Sequence, residues 1–332
     1  MEAGYTTEHA APLDLSGGSR GVSGDRVLLL GLRGIAWAVL ALLLFFLAQL
    51  LRDSQEVFSA MGIDFLFKND WDVSRDIYGA LPLIVGTLIT SALALIIGVP
   101  IAVASAVYLT ELCPPRFRRS LTALLELLAA VPSVVYGLWG FFVLIPLMKP
   151  GMQWFDDTFA FLPFVGSDQP VSGPSYFMAG LILAIMILPI VSAVSREVLL
   201  TVPREQREAA LALGATRWET IWKAVLPPAR DGILSASILG LGRAIGETIA
   251  VTIVIGNAAV IGSSLFSQGY TLAAVIANEF GEAASQPLHR SALIASGLVL
   301  LVLTLAVNIV ADLIVARTER RIDPKKKTAT VV

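Results

Sequence analysis

The stretch REVLLTVPREQREAALALGATRWETIWKAVLPPAR, Arg196–Arg230, lies between two long apolar runs and is itself too polar to sit in hydrocarbon. Its pattern is nevertheless ordered. Pro203 is suited to open a helix, and Glu205, Glu208 and the alanines that follow favour helix through Leu213. Gly214 supplies a turn. Thr216, with Glu219 three residues on, forms the pattern of a capping box for a second short helix through Trp222, which Pro227 and Pro228 stop. The expectation is a helix, a turn and a helix at a membrane face. Two uses of that shape are open. Trp218 and Trp222, four residues apart, can anchor an amphipathic hairpin in the headgroups, with Arg217 and Lys223 at the phosphates. Alternatively, the protruding helix is a handle by which another protein moves the spans.

The runs on either side set the class. The chain has 332 residues, of which 56% are hydrophobic and only 15% charged, and its mean hydropathy is +0.76. That composition belongs to a polytopic membrane protein. Six runs reach the roughly 20 apolar residues that a helix needs to cross a bilayer: about 34–51, 79–109, 121–147, 176–195, 233–260 and 292–315. The fold class is therefore an all-α bundle of six transmembrane helices. Pro100, Pro132 and Pro189 fall within these runs and read as ordinary kinks. Cys113 is the single cysteine, which excludes an intrachain disulfide and any cysteine-rich metal site. His9 and His289 leave little for imidazole chemistry, and no metal site is expected. The net charge of -2 indicates neither a nucleic-acid partner nor an acidic ligand.

Orientation follows from the lysines and arginines. With the amino terminus inside, eighteen of them fall on the cytoplasmic side and five outside: Arg52, Lys68, Arg75, Lys149 and Arg290. Both termini are thus expected in the cytoplasm. Residues 1–26 read as a flexible cytoplasmic tail without the basic start of a signal peptide, 27–316 as the six-span domain, and 317–332 as a basic cytoplasmic tail. Two outer segments, 53–78 with Asp64, Asp70, Asp72 and Asp76, and 148–175 with Trp154, Asp156, Asp157 and Asp168, either dock an extracytoplasmic partner or simply cap the bundle.

The fifth run contains LGRAIGETIAVTIVIGN, Leu241–Asn257, with two charges in an apolar setting. Arg243 and Glu247 are four apart and share a helix face if the helix is continuous, with the arginine in the less favourable N-terminal place. A charge at midbilayer costs roughly 2.5–3.5 kcal/mol on insertion scales, so both need a protein-lined or wet environment. Gly242 and Gly246 form a GxxxG pair that admits a close neighbouring helix. One reading is a salt bridge that holds this interface. The other is a transport path in which Arg243 offers forked donors to an anion, Glu247 positions or neutralises it, and Thr248, Thr252 and Asn257 supply neutral hydrogen bonds.

Glu208, Ala209, Ala210, Gly214, Leu226 and Pro227 fall at the spacing of the EAA loop, and the chain is identified as resembling the permease subunits of ATP-driven importers. Ala224 stands where that family usually has isoleucine. The resemblance implies a type I ABC importer permease fold in a bacterial inner membrane, with the coupling segment 203–227 seated on an ATPase. LGRAIGETIAVTIVIGN further resembles the phosphate branch, and the PstC-type subunit more than its partner type. That implies inorganic phosphate as cargo, a PstA-type permease as the other half, two PstB-type ATPase subunits inside and a PstS-type phosphate-binding protein outside. No GxxxxGK[ST] loop occurs, so ATP and magnesium are expected to be used by the partner ATPase, with no cofactor bound here and no catalytic residue. The residues by themselves leave open another oxyanion such as sulfate or molybdate, a stand-alone channel or ion-coupled carrier, and a non-transporting scaffold.

Overall fold

The computed structural model describes residues 21–161, 164–166 and 170–322. Most of the two expected tails and Asp168 lie outside the described residues. The chain divides into two compact units, one ending at Gln49 and one beginning at Leu50. The first consists of most of α1 (Gly21–Asp53), whose apolar residues are exposed along its length, as in a helix meant for lipid or a partner.

In the second unit, α2 (Gln55–Met61) and α3 (Asp64–Phe67) precede α4 (Leu81–Val107), which ends in a π-helical turn, Tyr108–Leu112. Next come α5 (Pro115–Ala130), α6 (Ser133–Trp139), α7 (Ile145–Thr158) and α8 (Tyr176–Thr201). Two short helices, α9 (Arg204–Ala212) and α10 (Arg217–Thr220), lead to α11 (Leu226–Ile245) and α12 (Ile249–Ile255). The final pair is α13 (Leu272–Glu279) and α14 (Pro287–Ile322). Among the described residues there is no β-strand, only the isolated bridges Asp72–Ile77 and Gly256–Gly269. Among the described residues, five helical segments are long and apolar enough to cross a membrane, and the α10–α11 segment with α12 makes a sixth that is bent by 67°.

The centre of the second unit is α8 against α4. Gly180 takes Leu93 against its backbone and Gly98 lies on Ala184, so that a Cβ on Gly98 would stand 3.0 Å from the Ala184 carbonyl oxygen. Such contact needs residues without side chains. The polar groups on α4 are internally satisfied: the hydroxyls of Thr87, Thr90 and Ser91 donate to carbonyls of their own helix at 2.6–3.2 Å.

Three boundaries differ from the sequence reading. Pro132 does not kink a span. The chain leaves helix at Val131 and restarts at Ser133, so the third span is Ser133–Thr158, and α5, which buries no residue, stands apart from it. Part of the segment read as an outer loop is accordingly helical, as α7. Pro227 and Pro228 do not stop a helix either. A π-helical turn, Ile221–Val225, precedes them, and the prolines sit in the first turn of α11. The wider turn removes the demand for the amide donors that these prolines lack, so the hairpin runs into the span. The fifth span is interrupted at 246–248.

Candidate functional site

The polar hairpin forms as its residues dictate. Pro203 is the N-cap of α9, and Gly214 turns the chain with φ of 85°, a backbone region open to glycine at little cost. The Thr216 hydroxyl accepts from the Glu219 amide at 3.3 Å, while the Glu219 carboxylate accepts from the Thr216 amide and hydroxyl at 3.0 Å. Lys223 adds an ion pair at 3.3 Å. The Thr216 backbone and side-chain donors, then Lys223, hold the Glu219 carboxyl below its ordinary range. Leu213 is 90% exposed, and Trp218 and Trp222 also stand out, their rings edge to face with centroids 5.8 Å apart. Glu208, Ala209, Gly214 and Pro227 are exposed, whereas Ala210 and Leu226 are half-buried. The hairpin thus presents an apolar tip and roots itself in a small core of Ala106, Val107, Leu199, Val202, Ile221, Val225 and Ala229.

The second locus is the break in the fifth span. Arg243 lies in the last turn of α11 and Glu247 in the irregular segment before α12. The bend ends the helix face the two charges would share, and among the described residues no ion pair joins them, so the salt-bridge reading is not what the structure shows. Each charge instead complements the helix end it occupies. Arg243 is at the negative end of α11, and Glu247 accepts the Ala250 amide in the first turn of α12 at 3.4 Å. Among the described residues the Arg243 guanidinium makes no hydrogen bond or ion pair. It is exposed in a cavity of about 530 Å³ lined by Ile190, Ser235, Ile238, Leu239, Gly242 and Asn308. Asn308 contributes a buried Oδ1 that has no partner. Gly242 faces open space in that cavity, and Gly246 meets only the Gly242 carbonyl, so among the described residues no helix docks on the GxxxG pair. The glycine that does pack is Gly240, against Val191.

The remaining residues of the expected path stand apart from this cavity. Thr248 donates to the Gly246 carbonyl at 3.2 Å and Thr252 to the Thr248 carbonyl at 2.8 Å. Asn257, with φ of 55°, donates to the Thr252 carbonyl at 3.0 Å and closes α12. It borders a separate cavity of about 570 Å³ with Asp70, Asp72, Arg75, Tyr270 and Glu279. In that wall the Glu279 carboxylate gathers Trp71 Nε1 at 3.0 Å, the Tyr270 hydroxyl at 3.1 Å and His289 Nε2 at 2.9 Å. Burial, with nearby carboxylates, raises the Tyr78 hydroxyl to about 12, and burial likewise pushes the Tyr270 hydroxyl up. Sequence reading missed Ser235, Asn308 and the Glu279 cluster. An asparagine inside the final apolar run was the available signal for the first locus, and His289 and Glu279 flanking that run's start for the second.

A model of the binding-protein-dependent transport system inner membrane component matches residues 98–324. The phosphate transport system permease protein PstC of Pasteurella multocida is 45% identical over 294 residues, which cover 87% of this chain and 91% of that protein. The protein of the same name from Xylella fastidiosa (strain 9a5c) is 42% identical over 276 residues, 82% of this chain and 85% of its own. Among solved structures, a bacterial ABC transporter involved in the import of the acidic polysaccharide alginate superposes with a TM-score of 0.60 over 89% of this chain and 98% of that one. At 16% identity that likeness speaks for the fold, a type I ABC importer permease. The chain belongs to the binding-protein-dependent transport system inner membrane component family and, within it, to the PstC-type phosphate transport permeases.

Proposed function

We propose that this chain is one of two transmembrane subunits of an ATP-driven importer that moves inorganic phosphate into the cytoplasm. The observation that carries the reading is Arg243: a guanidinium without an acceptor among the described residues, at the break of a span, facing a cavity with Ser235 and Asn308. A cation held this way costs free energy in an apolar bundle, and a forked donor set suits a tetrahedral oxyanion. Phosphate as the cargo is supported by the relatives at 45% and 42% identity, which are named phosphate transport system permease proteins. Glu247 sets the local charge at the α12 end of the break, Thr248 and Thr252 line the way outward, and Asn257 stands at the outer end.

In this reading the other half is a PstA-type permease, facing Gly242 and Gly246, which this chain leaves open. Two PstB-type ATPase subunits take the hairpin 203–227 in a groove and use ATP and magnesium there. A PstS-type binding protein delivers phosphate from outside. Exposed Leu213, Trp218 and Trp222 support a protein groove as the seat of the hairpin, and the lysine and arginine distribution supports cytoplasmic termini. Phosphate crosses chemically unchanged, so the work is alternating access with no covalent step.

The test is reconstitution of the four-component complex in proteoliposomes, measuring ATP-dependent uptake of labelled phosphate with excess sulfate or molybdate as competitor. Uptake that needs this chain and ignores both competitors is the expected result. Uptake abolished by sulfate, or no ATP-dependent phosphate uptake in an assembled complex, removes phosphate as the cargo.

A further inference from the structure

Among the described residues the polar side-chain attachment of α9 to the helices above it rests on one residue, Arg207. α9 buries no residue. Among the described residues no α9 side chain other than Arg207 makes a hydrogen bond or ion pair. Arg207 reaches three places at once. Its Nε and Nη2 donate to Glu111 Oε1 at 3.2 and 3.0 Å, in the π-helical turn that ends α4. Nη2 also donates to the Leu199 carbonyl at 2.9 Å, and Nη1 donates to the Val202 carbonyl, both at the end of α8. The two side chains are only 19% and 15% exposed. The same turn is tied to α5, where Arg118 donates to the Thr110 carbonyl at 3.1 Å.

We infer that Arg207 and Glu111 form the joint through which displacement of the cytoplasmic hairpin is passed to α4 and α8, and that they are positioning residues for coupling ATP hydrolysis to transport. Three physical facts carry the inference. A push on the exposed tip at Leu213 and Trp218 reaches the bundle through the hairpin's base, where α10 and its π turn are held by apolar packing and α9 by this ionic joint. The joint is directional, because a planar guanidinium with several simultaneous acceptors fixes orientation as well as distance. It also acts on the pair of helices that form the centre of the unit, α4 and α8, which are packed closely at Gly98 and Gly180. A π-helical turn at Glu111 is a point of local irregularity where such a load alters helix geometry at small cost. A lysine at 207 keeps the charge but loses the fork.

This inference rests on the proposed importer reading, so the experiment separates the two. Glu111→Gln, Arg207→Lys and the double variant Glu111→Gln with Arg207→Gln are assembled with the same partners. Complex yield and unfolding temperature are recorded, and phosphate uptake and ATP hydrolysis are measured together with loaded binding protein. The expected result is an assembled complex that still hydrolyses ATP but moves at least tenfold less phosphate per ATP than the unchanged chain. The double variant has no unpaired buried charge and keeps the test open if a single variant fails to assemble. A phosphate-to-ATP ratio equal to that of the unchanged chain, in the double variant or in either assembled single variant, overturns the joint. So does a loss of uptake that follows complex yield alone, or failure of all three to assemble, because the pair then acts only in folding. If the unchanged chain itself shows no ATP-dependent uptake, the importer reading fails and the joint with it; if it transports normally and the variants stay coupled, only the joint fails.

Discussion

Replacing Arg243 by glutamine separates a transport role from a structural one, because the guanidinium has no acceptor among the described residues. The structural loss is confined to the favourable placement of a cation at the end of α11, worth about 0.3–1 kcal/mol. No internal hydrogen bond or ion pair is broken, so the unfolding temperature of the assembled complex is expected to stay within a few degrees of the parent. Against an anion in the cavity, one charge-assisted hydrogen bond is worth about 1.5–3 kcal/mol. At about 1.4 kcal/mol per factor of ten, its loss lowers uptake at limiting phosphate by roughly 10- to 150-fold. Arg243→Lys, which keeps the charge and loses the fork, falls between. The assay is the initial rate of ATP-dependent phosphate uptake in proteoliposomes over a range of phosphate concentrations, with thermal unfolding of the same preparations. Unchanged uptake in Arg243→Gln refutes a place for this cation on the phosphate path. A large fall in unfolding temperature refutes the premise that it is free of structural duty.

Further outcomes follow from other sites. Glu279→Leu removes the common acceptor of half-buried Trp71 and of buried Tyr270 and His289, and at about 1–3 kcal/mol for each of the two buried donors it should destabilise the chain by roughly 2–6 kcal/mol, read as a lower unfolding temperature in detergent. Gly180→Leu places a side chain where Leu93 already lies and should cost about 1–3 kcal/mol or more, with loss of assembled complex as the readout. Acidification acts on the hairpin through Glu219. Its folded-state ionisation lies below the unfolded-state value of 4.5, so its stabilising contribution is complete above that value and lost as pH falls through the lowered one. Amide exchange at Arg217–Thr220 should rise in that acid window, and Thr216→Ala, which removes the hydroxyl but keeps the backbone donor and Lys223, should weaken the pH dependence.

The membrane class, the six apolar runs and the capping box of the hairpin were all legible in the sequence. Each depends on composition or on residues within four positions of one another, such as Thr216 with Glu219 and Gly214 at its turn. The meaning of Arg243 and Glu247 was not. Their spacing describes a helix face only while the helix continues, and the 67° bend after Ile245 removes that face. Pro132 and Pro227 were visible as helix breakers, yet whether a proline kinks, ends or begins a helix depends on neighbouring turns such as Ile221–Val225. Glu111 carried no local mark, because its partner Arg207 is 96 residues away, and the asparagine at 308 and the Glu279–His289 pair were visible only as polar residues in or beside the final apolar run. What the sequence by itself determined is therefore that the chain crosses a membrane several times and which loop protrudes, since hydropathy and capping are properties of contiguous residues. The tertiary structure decided which charges meet: it placed Glu111 under Arg207 across 96 residues and left Arg243 facing a cavity. Those outcomes depend on the packing of α4, α8, α11 and α14, in which no short-range rule of spacing takes part.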